Sequence, residues 1–224
     1  VGMNLAKTSL AAAQLDLNLG RKRFEVTAGA EIFPTPLLPP GLSPLAPELD
    51  RIDLQLQAEA DQSLSRIELS RLRLSSRLAR IDLQGRSDLK ARTADVSGSV
   101  RLPDLSSFQP LLPMPLTGAA SLDLGVSGGF SRPDLALDLR LTELTGLPHP
   151  AGKLIGPELT MHSDLGLQAG NRLSLDSLRI SGQQIGFTAR GTLGLADQNL
   201  TAAWRLQGPD LSALDLGDIA GEVT

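Results

Sequence analysis

RIELSRLRLSSRLARIDLQGRSDL, residues 66–89, decides the fold. Ile67 and Leu69 alternate with Glu68 and Ser70, and Leu72 and Leu74 alternate with Arg71 and Arg73. Alternation with a period of two puts one set of side chains on each face of an extended strand. The phase slips once, at Ser70-Arg71, where one extra residue returns the following leucines to the face of the first pair. A β-bulge does this; a tight turn would also break the phase. The slip recurs 106 residues on, where Leu173 and Leu175 precede Leu178 and Ile180 around Asp176-Ser177. Recurrence favours a bend built into the sheet.

Working outward, residues 66–106 align without gaps on 172–212, with Arg66/Arg172, Leu72/Leu178, Arg73/Arg179 and Gly85/Gly191 among the identical pairs. Pro103-Asp104-Leu105-Ser106 recurs as Pro209-Asp210-Leu211-Ser212. Upstream the offset grows slightly: Pro47-Glu48-Leu49 matches Pro157-Glu158-Leu159 and DLQLQA (53–58) matches DLGLQA (164–169), so residues 59–65 take up the difference. The spacing predicts a first repeat unit over 1–125, with a Pro-rich loop at 34–50, and a second, incomplete unit over 126–224. On this reading the chain is a middle length of a longer array.

The same alternation recurs in other runs. Ile52, Leu54 and Leu56 share one strand face, as do Leu122, Leu124 and Val126; Leu135, Leu137, Leu139 and Leu141; Leu165 and Leu167; and Leu200, Ala202, Trp204 and Leu206. Leucine is a weak strand former, so pattern overrides propensity. The proline-rich stretches 34–50, 103–116 and 147–158 cannot sit inside a ladder; 103–116 has room for a short helical turn. Each unit reads as roughly five antiparallel strands plus connections. The predicted fold is all-β: curved antiparallel meander repeats with an open apolar groove. A β-sandwich, whose two leucine faces bury each other, is the competing reading.

The apolar inventory bears on that choice. Hydrophobic residues make up 41% of the chain, with 46 Leu against 8 Ile and 6 Val, yet only 3% of residues are aromatic and none is Tyr. That much aliphatic material argues against disorder, and the lack of rings argues against an aromatic hot-spot interface. Flexible, ring-free side chains suit fluid acyl chains. The absence of Cys removes disulfides, thiolate metal sites and thiol catalysis. A net charge of −4 with interleaved signs offers no basic stripe for nucleic acid. No apolar run approaches the roughly 20 residues of a membrane-spanning helix.

Few residues invite a catalytic reading. Gly125-Val126-Ser127-Gly128-Gly129 fits G-x-S-x-G literally, but a nucleophile elbow needs a strand–turn–helix context. Here FSRPDLALDLRL follows, which alternates as a strand, so Ser127 reads as a hairpin residue and no enzyme or cofactor is expected. His149, between prolines, and His162, in a strand, read as surface residues rather than metal ligands. Asp104 and Asp210 read as caps of short helices. Arg71 and Arg73 read as a solvated outer face, with contact to anionic lipid headgroups as the alternative.

SVRLPDLSSFQPLLPMPLTGAASLDLGVSGGFSRPDLALDLRLTELTG (99–146) and GTLGLADQNLTAAWRLQGPDLSALDLGDIAGEVT (191–224) resemble repeats of the TamB family, the translocation and assembly module subunits. They also resemble the wider AsmA-like group of bridge-like lipid-transfer proteins. The likeness covers most of residues 50–224. It implies a long curved sheet with an apolar interior (a "β-taco") and a periplasmic body anchored in the inner membrane by an N-terminal helix absent from this stretch. It further implies an outer-membrane Omp85-type (TamA-like) barrel partner, met through regions outside this stretch. The implied activity is passage of phospholipid acyl chains between the two membranes, in support of outer-membrane biogenesis. The expected lipid-groove residues are the alternating sets Ile52, Leu54, Leu56; Ile67, Leu69, Leu72, Leu74; Leu122, Leu124, Val126; Leu135, Leu137, Leu139, Leu141; Leu165, Leu167; and Leu173, Leu175, Leu178, Ile180, with Phe187 and Trp204. Two other readings stand beside it: a periplasmic scaffold for outer-membrane protein (autotransporter) assembly that offers sheet edges to client strands, and a structural stalk or adhesin.

Overall fold

The computed structural model describes residues 9–20, 23–33, 45, 51–112, 114–168, 172–195 and 198–208. Within them the chain forms one twelve-stranded antiparallel sheet in which spatial order equals sequence order. The strands are β1 Ser9–Leu19, β2 Arg23–Phe33, β3 Ile52–Asp61, β4 Arg66–Ser75, β5 Arg80–Asp88, β6 Thr93–Leu102, β7 Thr117–Gly129, β8 Arg132–Thr145, β9 Leu159–Gln168, β10 Arg172–Ser181, β11 Gly186–Gly194 and β12 Leu200–Gln207. The sheet does not close into a barrel, as an open curved meander requires. No second sheet faces it among the described residues, so the sandwich reading fails there.

The predicted bulge is present in both units. Leu69 pairs with Gly85 and Leu72 with Leu83, leaving Ser70 and Arg71 opposite Gln84 alone. Leu175 pairs with Gly191 and Leu178 with Ala189, leaving Asp176 and Ser177 opposite Arg190 alone. Two residues against one coil the strand locally and sharpen its twist. The partner strand must then pass close by. A Cβ on Gly85 would stand 2.6 Å from the Asp95 carbonyl oxygen and 2.7 Å from the Val96 Cα; one on Gly191 would stand 2.5 Å from the Thr201 carbonyl oxygen. Only glycine fits beside these bulges.

Two sequence expectations need correction. The repeat period is six strands rather than about five, because β9 corresponds to β3. The upstream offset is 107, not 110 or 111: Leu54 faces Leu74 where Met161 faces Ile180, and Ala58 faces Leu69 where Leu165 faces Leu175. The shift of one residue arises in a hairpin turn, since β3 and β4 leave four residues between them and β9 and β10 leave three. The boundary expected at 125/126 falls inside β7, and the sheet runs through it without a break.

Short hairpins line one rim of the sheet. The β3–β4 turn is held by Asp61, whose Oδ1 accepts from the Ser65 amide at 2.6 Å while Oδ2 accepts from the Ser65 hydroxyl at 2.7 Å. The longer connections after β6 and β8 leave from the other rim. The expected helical turn in 103–116 is a 3-10 helix, Leu105–Leu111, capped by the Asp104 carboxylate, which accepts from the Ser106 amide at 2.8 Å. A one-turn helix α1, Ala151–Ile155, follows β8. The buried apolar side chains among the described residues are Leu45, Leu78, Leu105, Leu144 and Leu154. Four of them fill this second rim: Leu78 in the β4–β5 turn, Leu105, Leu144 at the end of β8, and Leu154 of α1. Leu45 is the one described residue of the Pro-rich stretch 34–50; the rest of that stretch and Asp210 lie outside the described residues. The closed core is therefore a strip along one edge, and the broad sheet face is not part of it.

Candidate functional site

Strand register turns the alternating residues into rows that cross the whole sheet. One row runs Leu15, Ala28, Leu56, Leu72, Leu83, Gly98, Leu124, Leu137, Ser163, Leu178, Ala189, Trp204, one residue from each strand. A second joins Val26, Ala58, Leu69, Gly85, Val96, Val126, Leu135, Leu165, Leu175 and Gly191. A third joins Ala30, Leu54, Leu74, Ile81, Val100, Leu122, Leu139, Met161, Ile180 and Phe187. Ile67, Leu167 and Leu173 extend the face toward the hairpin rim, and Ile52 and Leu141 toward the opposite rim. All the groove residues expected from sequence thus share one face.

That face is half-covered and never sealed. On its inner strands most residues are intermediate in exposure, with Ser163 buried and Ile67 and Leu173 exposed, and the outer strands open further, with Leu15 at 62% and Trp204 at 62%. Phe187 and Trp204 stack with ring centroids 6.3 Å apart, the one ring pair among the described residues. With strands about 4.8 Å apart and rows about 6.8 Å apart, twelve strands and three rows span on the order of 1,000 Å² of sheet. A soluble monomer's largest apolar patch is typically about 300–600 Å². The face is larger than that, although Gly85, Gly98, Ser163 and Gly191 interrupt its apolar rows.

Several members of this face escape a reading by alternation alone: Ile81 and Leu83 in β5, Val96 and Val100 in β6, and Ala58 and Ala60 in β3. Their alternation is present but diluted by Gly85, Ser87 and Gly98 in the same rows. Contrary to a simple groove picture, the sheet's main clefts, of 390 to 630 Å³, are lined mostly by residues of the opposite, polar face.

That face carries the charge. Arg73 pairs with Asp82 across β4–β5. His162 in β9 sits between two carboxylates: Nδ1 lies 2.7 Å from Asp138 Oδ1 and Nε2 lies 3.0 Å from Asp164 Oδ2. Asp164 also accepts from the Ser177 hydroxyl at 2.8 Å. Both ring nitrogens can donate only in the imidazolium, so the hydrogen bond to Asp138 and then that to Asp164 raise the His162 pKa. Ser177 first, then His162, lower that of Asp164. Ser127 lies in β7 opposite Asp95 and Asp134, two residues before the hairpin turn, and no helix follows it. The elbow is absent.

Comparison of the chain with protein families, with curated proteins and with solved structures gives no match.

Proposed function

We propose that this chain is a length of a lipid-carrying trough, in which the apolar face receives phospholipid acyl chains moving between the inner and outer membranes of a diderm bacterium. One observation carries the reading: rows of mostly apolar residues cross the twelve-stranded sheet on one face, and no second sheet covers them among the described residues. Aliphatic side chains suit such cargo because each buried CH₂ contributes about 0.8 kcal/mol, or on the order of 10 kcal/mol for a 16-carbon chain, without a specific pocket. The TamB resemblance agrees, and with it the expectation of a periplasmic body and a barrel partner met elsewhere. Native mass spectrometry of the purified chain tests it. Phospholipid should co-purify with the native chain and be lost in Leu175→Arg, while far-UV circular dichroism stays unchanged. A lipid-free native chain would overturn the proposal.

A second reading has an observation of its own. The outer edges of β1 and β12 are unpaired among the described residues, and β12 is exposed along nearly its whole length. Open edges can accept a client strand. Client crosslinks confined to β1 and β12, with none on the apolar face, would favour a scaffold for outer-membrane protein assembly.

A further inference from the structure

The two bulges make the same cleft twice on the polar face. In the first unit it is lined by Ser70, Arg71, Arg73, Asp82, Gln84, Ser97 and Ser99; in the second by Asp176, Ser177, Arg179, Thr188, Arg190, Ala203 and Arg205. Every one of these pairs is offset by 106 residues, while Asp123 borders only the first cleft and His162 only the second. The volumes are similar, about 460 and 570 Å³. The chain therefore contains its own control, with one cleft geometry and two chemistries.

The chemistries differ in charge balance. In the first cleft Arg73 is neutralised by Asp82. In the second, Thr188 replaces that aspartate, Arg190 replaces Gln84 and Arg205 replaces Ser99. Arg179, Thr188 and Arg205 stand in one cross-strand row, and Arg190 lies two residues from Thr188 on β11. At about 4.8 Å between strands and 3.4 Å per residue, the three arginine Cα atoms lie within about 10 Å of one another around the Thr188 hydroxyl. None of the three makes an ion pair among the described residues. Of the nearby carboxylates, Asp138 and Asp164 hold His162, while Asp176, opposite Arg190 across the bulge, lines the cleft itself. Three guanidinium groups against the single carboxylate of Asp176 leave the cleft with a positive surplus that can attract an anion. Guanidinium forks match phosphate oxygens in pairs.

We infer that the cleft of Arg179, Arg190 and Arg205 binds a phosphate group on the polar face. The site is independent of the trough, which lies on the other side of the sheet. Titration of the full chain with inorganic phosphate at low ionic strength, followed by amide and arginine Nε resonances in NMR, tests it. The native chain should show saturable shifts at Thr188, Arg190 and Arg205 and none at Asp82 or Gln84. Thr188→Asp restores the first unit's counter-charge in a position where the repeat already accepts it, so the fold should survive. That variant and Arg190→Gln/Arg205→Ser should each weaken binding about tenfold or more. Absence of saturable shifts in the native chain, or unchanged binding in either variant, would overturn the site. Vesicles of phosphatidylglycerol identify the source. Cosedimentation lost in Thr188→Asp assigns the phosphate to a lipid headgroup; phosphate binding without cosedimentation assigns it to a soluble phosphate.

Discussion

His162 and Asp61 set opposite pH limits on local stability. His162 has a raised pKa because its charged ring donates to Asp138 and Asp164. A group raised in the folded state contributes fully below its ordinary value near 6.5 and loses that contribution as pH climbs through the folded value. Asp61 is held down to about 2, first by the Ser65 hydroxyl and then by backbone amides of the β3–β4 turn. Its contribution is present above the ordinary carboxylate value near 3.8 and disappears as pH falls toward 2. NMR titration should place the His162 midpoint above 6.5 in the native chain and lower it in Asp138→Asn. A His162 midpoint at or below 6.5 in the native chain would contradict the bridge.

The bulged hairpin is the element that shapes the sheet, and its glycines are its weak point. Gly85→Ala and Gly191→Ala each push a methyl group into backbone atoms of the next strand, at 2.6 and 2.5 Å respectively. Backbone cannot rotate away, so each should cost about 1–3 kcal/mol in urea unfolding. Gly125→Ala in β7 meets only the Ala136 Cβ at 3.9 Å and should be neutral or slightly stabilising. Equal effects at Gly85 and Gly125 would mean the close approach is not real. The bulge is legible in the sequence because it leaves a phase slip in an otherwise strict alternation, and because it occurs twice. The true offset of β3 and β9 is not, since DLQLQA and DLGLQA match by composition while a hairpin turn of different length fixes the register. The arginine cleft is also hidden in sequence. Arg179, Arg190 and Arg205 are scattered over 27 positions, and only strand pairing brings them together.

At the scale of the whole molecule, the sheet is a line of strands rather than a ball. Its substantial contacts join neighbouring strands, apart from the 3-10 helix against β7. Stability in such an array is close to a sum of nearest-neighbour terms, so opening can start locally and spread. Amide hydrogen exchange should therefore show protection highest in β5–β9 and falling stepwise toward β1 and β12. The rim strip modifies this gradient. Leu144 donates its amide to the Pro157 carbonyl at 2.9 Å, and Gln183 and Gln184 donate theirs to Ile155 and Leu154, both at 2.8 Å. These bonds tie β8, α1 and the β10–β11 turn around the buried Leu154. Leu154→Ala removes that anchor and should lower protection in β9–β11 by about 2–4 kcal/mol. Protection in β3–β5, several strands away, should stay unchanged. If the variant instead lost protection equally in all twelve strands, the sheet would open as one cooperative unit and the linear description would be wrong.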